Sequence, residues 1–269
     1  GEDIAAGAVA LPAGTLLRPA QLGVMASIGC GEAVVIRRPR VAFFSTGDEL
    51  RPVGEDLRKG QIYDSNRYTI RGMLERLGLE VIDLGVVPDR REDTETALNK
   101  ASASADVIVT SGGVSVGEAD FVTETLDRMG EVNFWKVAIK PGRPLAFGRV
   151  GDALFFGLPG NPVSVMSTFY QIVQPTLEIL TGNRRVDPPI LLDAVCQSAL
   201  RKKPGRLEVQ RGVLQRAPEG HYVVNSTGLQ GSGVLSSMIE GNCFIVLPLE
   251  LETVEPGDTV KVQPFRGLT

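Results

Sequence analysis

The sequence predicts a three-layer α/β/α domain with a mainly parallel sheet, followed by a small all-β domain and preceded by a short N-terminal segment. Three observations carry this. Short apolar runs alternate with helical stretches from Arg40 to Gly182. Those runs are apolar throughout, as in strands covered on both faces. After "RVDPP" (185–189) the helical pattern stops, and runs divided by "KPG", "APEG" and "EPGD" turns take over. The divisions read as 1–38 (a remnant of an N-terminal region), 39–187 (the α/β domain) and 188–269 (a β-barrel-like domain).

Each element has its own warrant. "RPAQLGVMASIG" (18–29) reads as a helix stopped by Gly29, and "IRRPR" (36–40) as a linker. "RVAFFS" (40–45) is a strand. "SNRYTIRGMLERLG" (65–78) is a helix with Ser65 as N-cap and Gly78 just past its end. "LEVIDLG" (79–85) and "DVIVT" (106–110) are strands, divided by a helix over 92–105, and a further helix is expected over 121–130. "VNFWKVAIKPGRPLAFGRV" (132–150) alternates around a Pro141-Gly142 turn. "ALFFGLPG" (153–160) is a strand, and 161–182 a long helix with Asn161 as N-cap, Pro162 in its first turn and a kink at Pro175. "LLDAVCQSAL", "LEVQRGVLQ", "HYVVNS", "CFIVLP" and "DTVKVQPF" supply the strands of the β domain.

Composition narrows the chemistry. A net charge of −4 argues against a nucleic-acid footprint, and no run is long enough to span a membrane. Cys30, Cys196 and Cys243 form no CxxC pair, which points to a reducing, cytoplasmic setting without structural zinc. His221 is the single histidine and sits beside a turn, so chemistry falls to carboxylates, lysines, arginines and an oxygen-bound metal. The first residue is Gly1, not Met, and the opening lacks a clean element start; it reads as part of a longer chain.

In open parallel sheets ligands bind outside the carboxyl ends of the strands. Those ends here carry "TGDEL", "VVPD", "SGGVSVGEAD" and "LPGNPVS". In "TSGGVSVGEAD" (110–120), Gly112 and Gly113 allow close backbone approach to an anion, and Ser111 and Ser115 add hydroxyls. Together they form a phosphate cradle that matches neither the Walker nor the dinucleotide spacing. A Gly-Gly turn before a capped helix accounts for the same residues, with Asp120 as the cap. Asp89 and Asp120, with Glu49, offer oxygen ligands for Mg²⁺; Asp89 alone also fits a turn with Arg90. Lys136 and Lys140 lie an even number apart on one expected strand, so they face one way, with Arg143 past the turn. Arg211 and Ser232 are unremarkable by themselves.

"STGDEL", "IYDSN", "GVVPD", "TSGGVSVGEAD", "KVAIKPGRP" and "GLPGNPVS", in this order, resemble MoeA-type molybdopterin molybdenumtransferases, relatives of the gephyrin E domain. The resemblance covers nearly the whole chain. It implies that adenylylated molybdopterin and molybdate are substrates, and that molybdenum is inserted with Mg²⁺-dependent loss of AMP. It implies a homodimer, and contact with other proteins of cofactor biosynthesis. Carried onto this sequence, Thr110, Ser111, Gly112, Gly113 and Ser115 bind the pterin phosphate region, and Gly160, Asn161 and Pro162 form the second helix start. Asp89 and Asp120 hold Mg²⁺ with Glu49 assisting. Lys136 and Lys140 neutralise phosphate and molybdate, Arg211 and Ser232 complete the oxyanion site, and Asp3 in "GEDI" matches a further position. The family carries an elongated lobe ahead of "GEDI". Two alternatives remain: a molybdopterin adenylyltransferase, which would consume ATP, and a gephyrin-like scaffold for partner peptides.

Overall fold

The computed structural model describes residues 2–113, 125–126, 128–183 and 188–265. Helix α1 (Pro19–Ser27) sits on an irregular opening segment and buries no residue. The first sheet begins with β1 (Arg40–Thr46), and β2 (Leu50–Arg51) and β3 (Ile62–Tyr63) make a small parallel pair beyond it. Helix α2 (Ser65–Arg76), β4 (Glu80–Val87), α3 (Arg91–Ser104) and β5 (Val107–Ser111) follow. Then come β6 (Gly130–Lys136), β7 (Ile139–Lys140), β8 (Pro144–Val150) and β9 (Ala153–Leu158). Of the helix expected over 121–130, residues 121–124 and 127 lie outside the described residues, and residues 125, 126, 128 and 129 are helical.

The first sheet has the order β4-β1-β5-β9-β8-β6. β4, β1, β5 and β9 are mutually parallel, while β8 and β6 add an antiparallel edge. β1 and β5 are buried along almost their whole length, which is why they read as unbroken apolar runs. One face packs Val41, Phe43, Val109 and Phe156 against Ile70 and Leu74 of α2. The other packs Ala42, Phe44, Ile108 and Phe155 against Leu98 and Ala101 of α3. At the sheet's amino end Arg37 grips Asp106 at 2.5 Å, and Asp106 also accepts the Arg40 N–H at 2.8 Å. That hydrogen bonding holds the Asp106 carboxyl down at about 2.

Helix α2 is capped one residue earlier than its sequence predicts. Asp64, not Ser65, accepts the Arg67 N–H. The expected long helix is built as α4 (Pro162–Thr168), a π-helical stretch (Phe169–Val173) and α5 (Gln174–Leu180). Pro175 has no N–H to donate to the preceding turn, and the wider π turn lies immediately before it.

The remaining strands are β10 (Leu192–Cys196), β11 (Leu200–Arg201), β12 (Leu207–Arg216), β13 (Tyr222–Ser226), β14 (Cys243–Leu247), β15 (Thr253–Val254) and β16 (Thr259–Pro264), with a short helix α6 (Ser237–Glu240). They run β13-β10-β16-β14-β12, and a β12–β13 pairing closes the ring around Cys196, Val224, Ile245 and Val262. β7 joins this second sheet beside β12, although it lies in sequence between two strands of the first. Val209, Phe244 and Phe265 extend the α2-side core of the first sheet, so the two sheets share packing.

Candidate active-site cleft

The carboxyl ends of β1, β5 and β9 and the loop after β4 open on one cleft of about 760 Å³. Thr46 and Gly47, Asp89, Gly112 and Gly113, and Gly160 and Asn161 line its α/β side. Ile139 to Pro144, Arg206 and Gln230 to Ser232 also line it. β7 supplies Lys140 to the cleft because it leaves the first sheet to pair with β12.

The paired glycines have distinct jobs. A Cβ on Gly112 would stand 2.3 Å from the Thr46 carbonyl oxygen, and its φ is +90°. Glycine is therefore required where the ends of β1 and β5 close together. Its N–H is not offered to a ligand, however; it donates to the Leu158 carbonyl at 3.1 Å. Gly113, also at positive φ, makes no such bond among the described residues and lines the cleft. Thr110 and Ser111 lie beneath the surface, fully buried at the end of β5, and do not line the cleft.

Asn66 is a site-building residue that the sequence reading did not assign. Its Nδ2 donates to Ser111 Oγ at 2.8 Å and to the Gly160 carbonyl at 2.7 Å. One buried amide on α2 thus ties the end of β5 to the loop after β9. The signal was available in "IYDSN": a polar residue near a helix start, on the face that turns inward.

Asn161 occupies the N-cap position of α4, but its side chain makes no capping bond and lines the cleft. The helix start is tied down from the β domain instead: the Val163 N–H donates to the Ser232 carbonyl at 3.0 Å. Pro162 takes the first helical position and is not among the lining residues. Ser232 does line the cleft.

On the acidic side Glu49 and Asp89 face the cleft, and Asp48 Oδ1 approaches the Asp89 N–H at 3.4 Å. Burial raises the Asp89 pKa, and the charges of Asp48 and Glu49 push it further up. None of these carboxylates has a cationic partner among the described residues. No three acidic side chains there converge closely enough to enclose a metal by themselves. Mg²⁺ commonly takes one or two carboxylates and fills its shell with water and phosphate oxygens, so an unpaired, oxygen-only pair fits it. Asp120 and Ser115 lie outside the described residues.

On the basic side Lys140 Nζ is bound to both carboxylate oxygens of Glu208 at 3.1 Å. Glu208 is itself buried. Arg143 and Arg206 line the cleft with no ion pair among the described residues. Arg206 follows a Pro204-Gly205 turn and had no distinguishing pattern in the sequence.

Three further expected residues fall elsewhere. Lys136 ends β6 opposite Pro144, exposed and not lining the cleft. It does not share a strand with Lys140, because Val137 N–H turns to the Arg143 carbonyl and Ala138 accepts from Leu207 of the second sheet. Arg211 is only 1% exposed and reaches no cleft surface. Its guanidinium donates to Ser237 Oγ at 2.9 Å and to the carbonyls of Leu229 and Gly231 at 3.3 and 3.0 Å. It therefore holds the loop that presents Gln230, Gly231 and Ser232. Asp3 is exposed in the opening segment and does not line the cleft.

Residues 42–179 match the family described as "Probable molybdopterin binding domain", and residues 193–265 match "MoeA C-terminal region (domain IV)". The chain belongs to the MoeA-type molybdopterin molybdenumtransferase family. Among curated relatives of this family, the "Molybdopterin molybdenumtransferase" of Haemophilus influenzae is 48% identical over 268 residues, which are 100% of this chain and 66% of that protein. A Nostoc protein of the same description is 35% identical, covering 96% of this chain and 60% of its own length. Among solved structures, a molybdopterin biosynthesis MoeA protein from Pyrococcus horikosii superposes with a TM-score of 0.77 at 31% identity, covering 94% of this chain and 61% of that one. The chain thus spans about two thirds or less of the length of these relatives.

Proposed function

We propose that this chain is the cofactor-binding and β-domain part of a molybdopterin molybdenumtransferase, acting in molybdenum cofactor biosynthesis. Its substrates in this reading are adenylylated molybdopterin and molybdate, and AMP leaves as molybdenum enters the dithiolene. The observation that carries the reading is the cleft itself. Carboxylates and guanidinium groups that have no ion pair among the described residues line one space of a size suited to a small anionic ligand.

Division of labour follows from charge. Lys140, Arg143 and Arg206 neutralise phosphate and molybdate oxygens, and Gly113 and Ser232 add donors at the floor and rim. Glu49 and Asp89 hold Mg²⁺ from the α/β side, with Asp120 as the third carboxylate. When bound, that ion supplies charge neutralisation at the phosphoanhydride being broken. Asn66 and Arg211 position the loops rather than touch the ligand. The domain division at about residues 39 and 188, a homodimer, contact with other cofactor-biosynthesis proteins and a cytoplasmic setting belong to the same reading. Among the described residues no helix is long and apolar enough to cross a membrane.

The test is release of AMP from adenylylated molybdopterin by the purified chain, with molybdate and Mg²⁺ present. AMP should appear in proportion to protein and require both additions, while ATP is left unconsumed. Turnover of ATP would assign adenylyltransferase chemistry instead. Binding of the adenylate with no AMP released would confine the chain to holding the cofactor.

A further inference from the structure

A second cleft of about 420 Å³ adjoins the first, and five of its six lining residues are cationic: Lys140, Arg201, Lys202, Lys203 and Arg206, with Glu208 as the sixth. Lys140 and Arg206 line both clefts. Glu208 does not balance the group. Its oxygens are already taken by Lys140 at 3.1 Å and by the Gln210 amide at 2.9 Å. Arg201, Lys202, Lys203 and Arg206 have no carboxylate partner among the described residues.

Lys202 makes the arrangement hard to explain as solvated surface charge. It is 9% exposed, and among the described residues its ammonium meets only the carbonyls of Leu249 at 3.2 Å and Lys203 at 3.4 Å. The ammonium of this largely buried residue thus meets two neutral carbonyls and no carboxylate among the described residues, beside three further cations without one. The segment is also rigidly held. β11 pairs with β15 at Leu200–Val254 and Arg201–Thr253, Lys202 N–H donates to Glu252 at 2.9 Å, and Gly205 N–H donates to Leu249 at 2.9 Å. Preorganised cations that do not neutralise one another are how proteins bind small anions.

We infer that this cleft is a second oxyanion subsite, built by the β domain, for a doubly charged tetrahedral anion such as phosphate or molybdate. Sharing Lys140 and Arg206 places it next to the main cleft, so an anion held there is poised to pass into it. The subsite stands apart from the reaction proposed above, because anion binding there does not depend on what the main cleft catalyses.

Titration calorimetry of the whole chain with molybdate and with orthophosphate at low salt tests this, using Arg201→Ala/Lys203→Ala, whose altered side chains are both exposed. The expected result is loss of one class of anion binding, or its weakening by 10-fold or more, with the circular dichroism spectrum unchanged. Lys202→Met should do the same; if it fails to fold, the exposed double variant decides. A double variant that binds as much anion as tightly as the parent overturns the inference. An AMP arm separates the sources: AMP that displaces orthophosphate only from the class lost in the double variant identifies a nucleotide phosphate as the occupant, and failure to displace identifies the free anion. This readout is independent of AMP release, so either conclusion can fail alone.

Discussion

The two walls of the main cleft are built on opposite plans. The α/β wall carries its acids on loops at strand ends, where burial first and then the neighbouring charges of Asp48 and Glu49 raise the Asp89 pKa. The β-domain wall carries cations on a paired strand and a tight turn, with Lys140 anchored by the buried carboxylate of Glu208. Opposite charges within one cleft would ordinarily find each other. Here no ion pair joins the walls among the described residues. Each wall keeps its charge for something placed between them, and the supporting contacts lie one layer back, at Asn66 on one side and Arg211 on the other.

The sharpest way to break that comparison is to neutralise each wall in turn. Asp89→Asn and Lys140→Gln should each lower kcat/KM for AMP release by at least about 100-fold, roughly 3 kcal/mol of transition-state stabilisation. If both walls grip one ligand, the double variant should lose less than the product of the single losses. Full additivity would place them on separate events.

Arg211→Met should act through the loop. Loss of its three hydrogen bonds is expected to cost about 2–3 kcal/mol in denaturant unfolding, and to raise KM more than it lowers kcat. A variant as stable as the parent, with kcat alone affected, would return Arg211 to the ligand. On the other wall Asn66→Ala should cost about 1–2 kcal/mol by the same measurement, since it unties the end of β5 from the loop after β9 and leaves the Gly160 carbonyl unmet.

The smallest effect is remote from both walls and serves as their control. Asp106 is held at about 2, below its unfolded value near 3.9, so its contribution is present above pH 4 and fades as pH falls toward 2. Asp106→Asn should remove that slope from the acid limb of an unfolding profile while leaving AMP release at neutral pH unchanged. An altered neutral rate would mean that the linker anchored by Arg37 reaches the cleft.

Much of the α/β side was legible in the chain. Four strand ends rich in Gly, Pro and acid implied one ligand-binding edge, and Asp89, Glu49, Gly113 and Asn161 do share it. Local spacing was less reliable for hydrogen bonds. Gly112 looks like an anion donor until its N–H is seen committed to Leu158, and Asn161 looks like a cap until Ser232 is found taking that place. Even spacing put Lys136 and Lys140 on one face only by assuming an unbroken strand.

The sequence by itself determined the alternation of strands and helices and the acids and glycines at the strand ends. These are local properties: periodicity, turn residues and composition survive without knowing the neighbours. Tertiary structure alone decided that β7 leaves one sheet to join the other, that Arg206 and Asp89 line one cleft, and that Arg211 is buried. Those facts depend on which distant segments share hydrogen bonds and core, and Arg206 and Arg211 carry no local mark of that partnership.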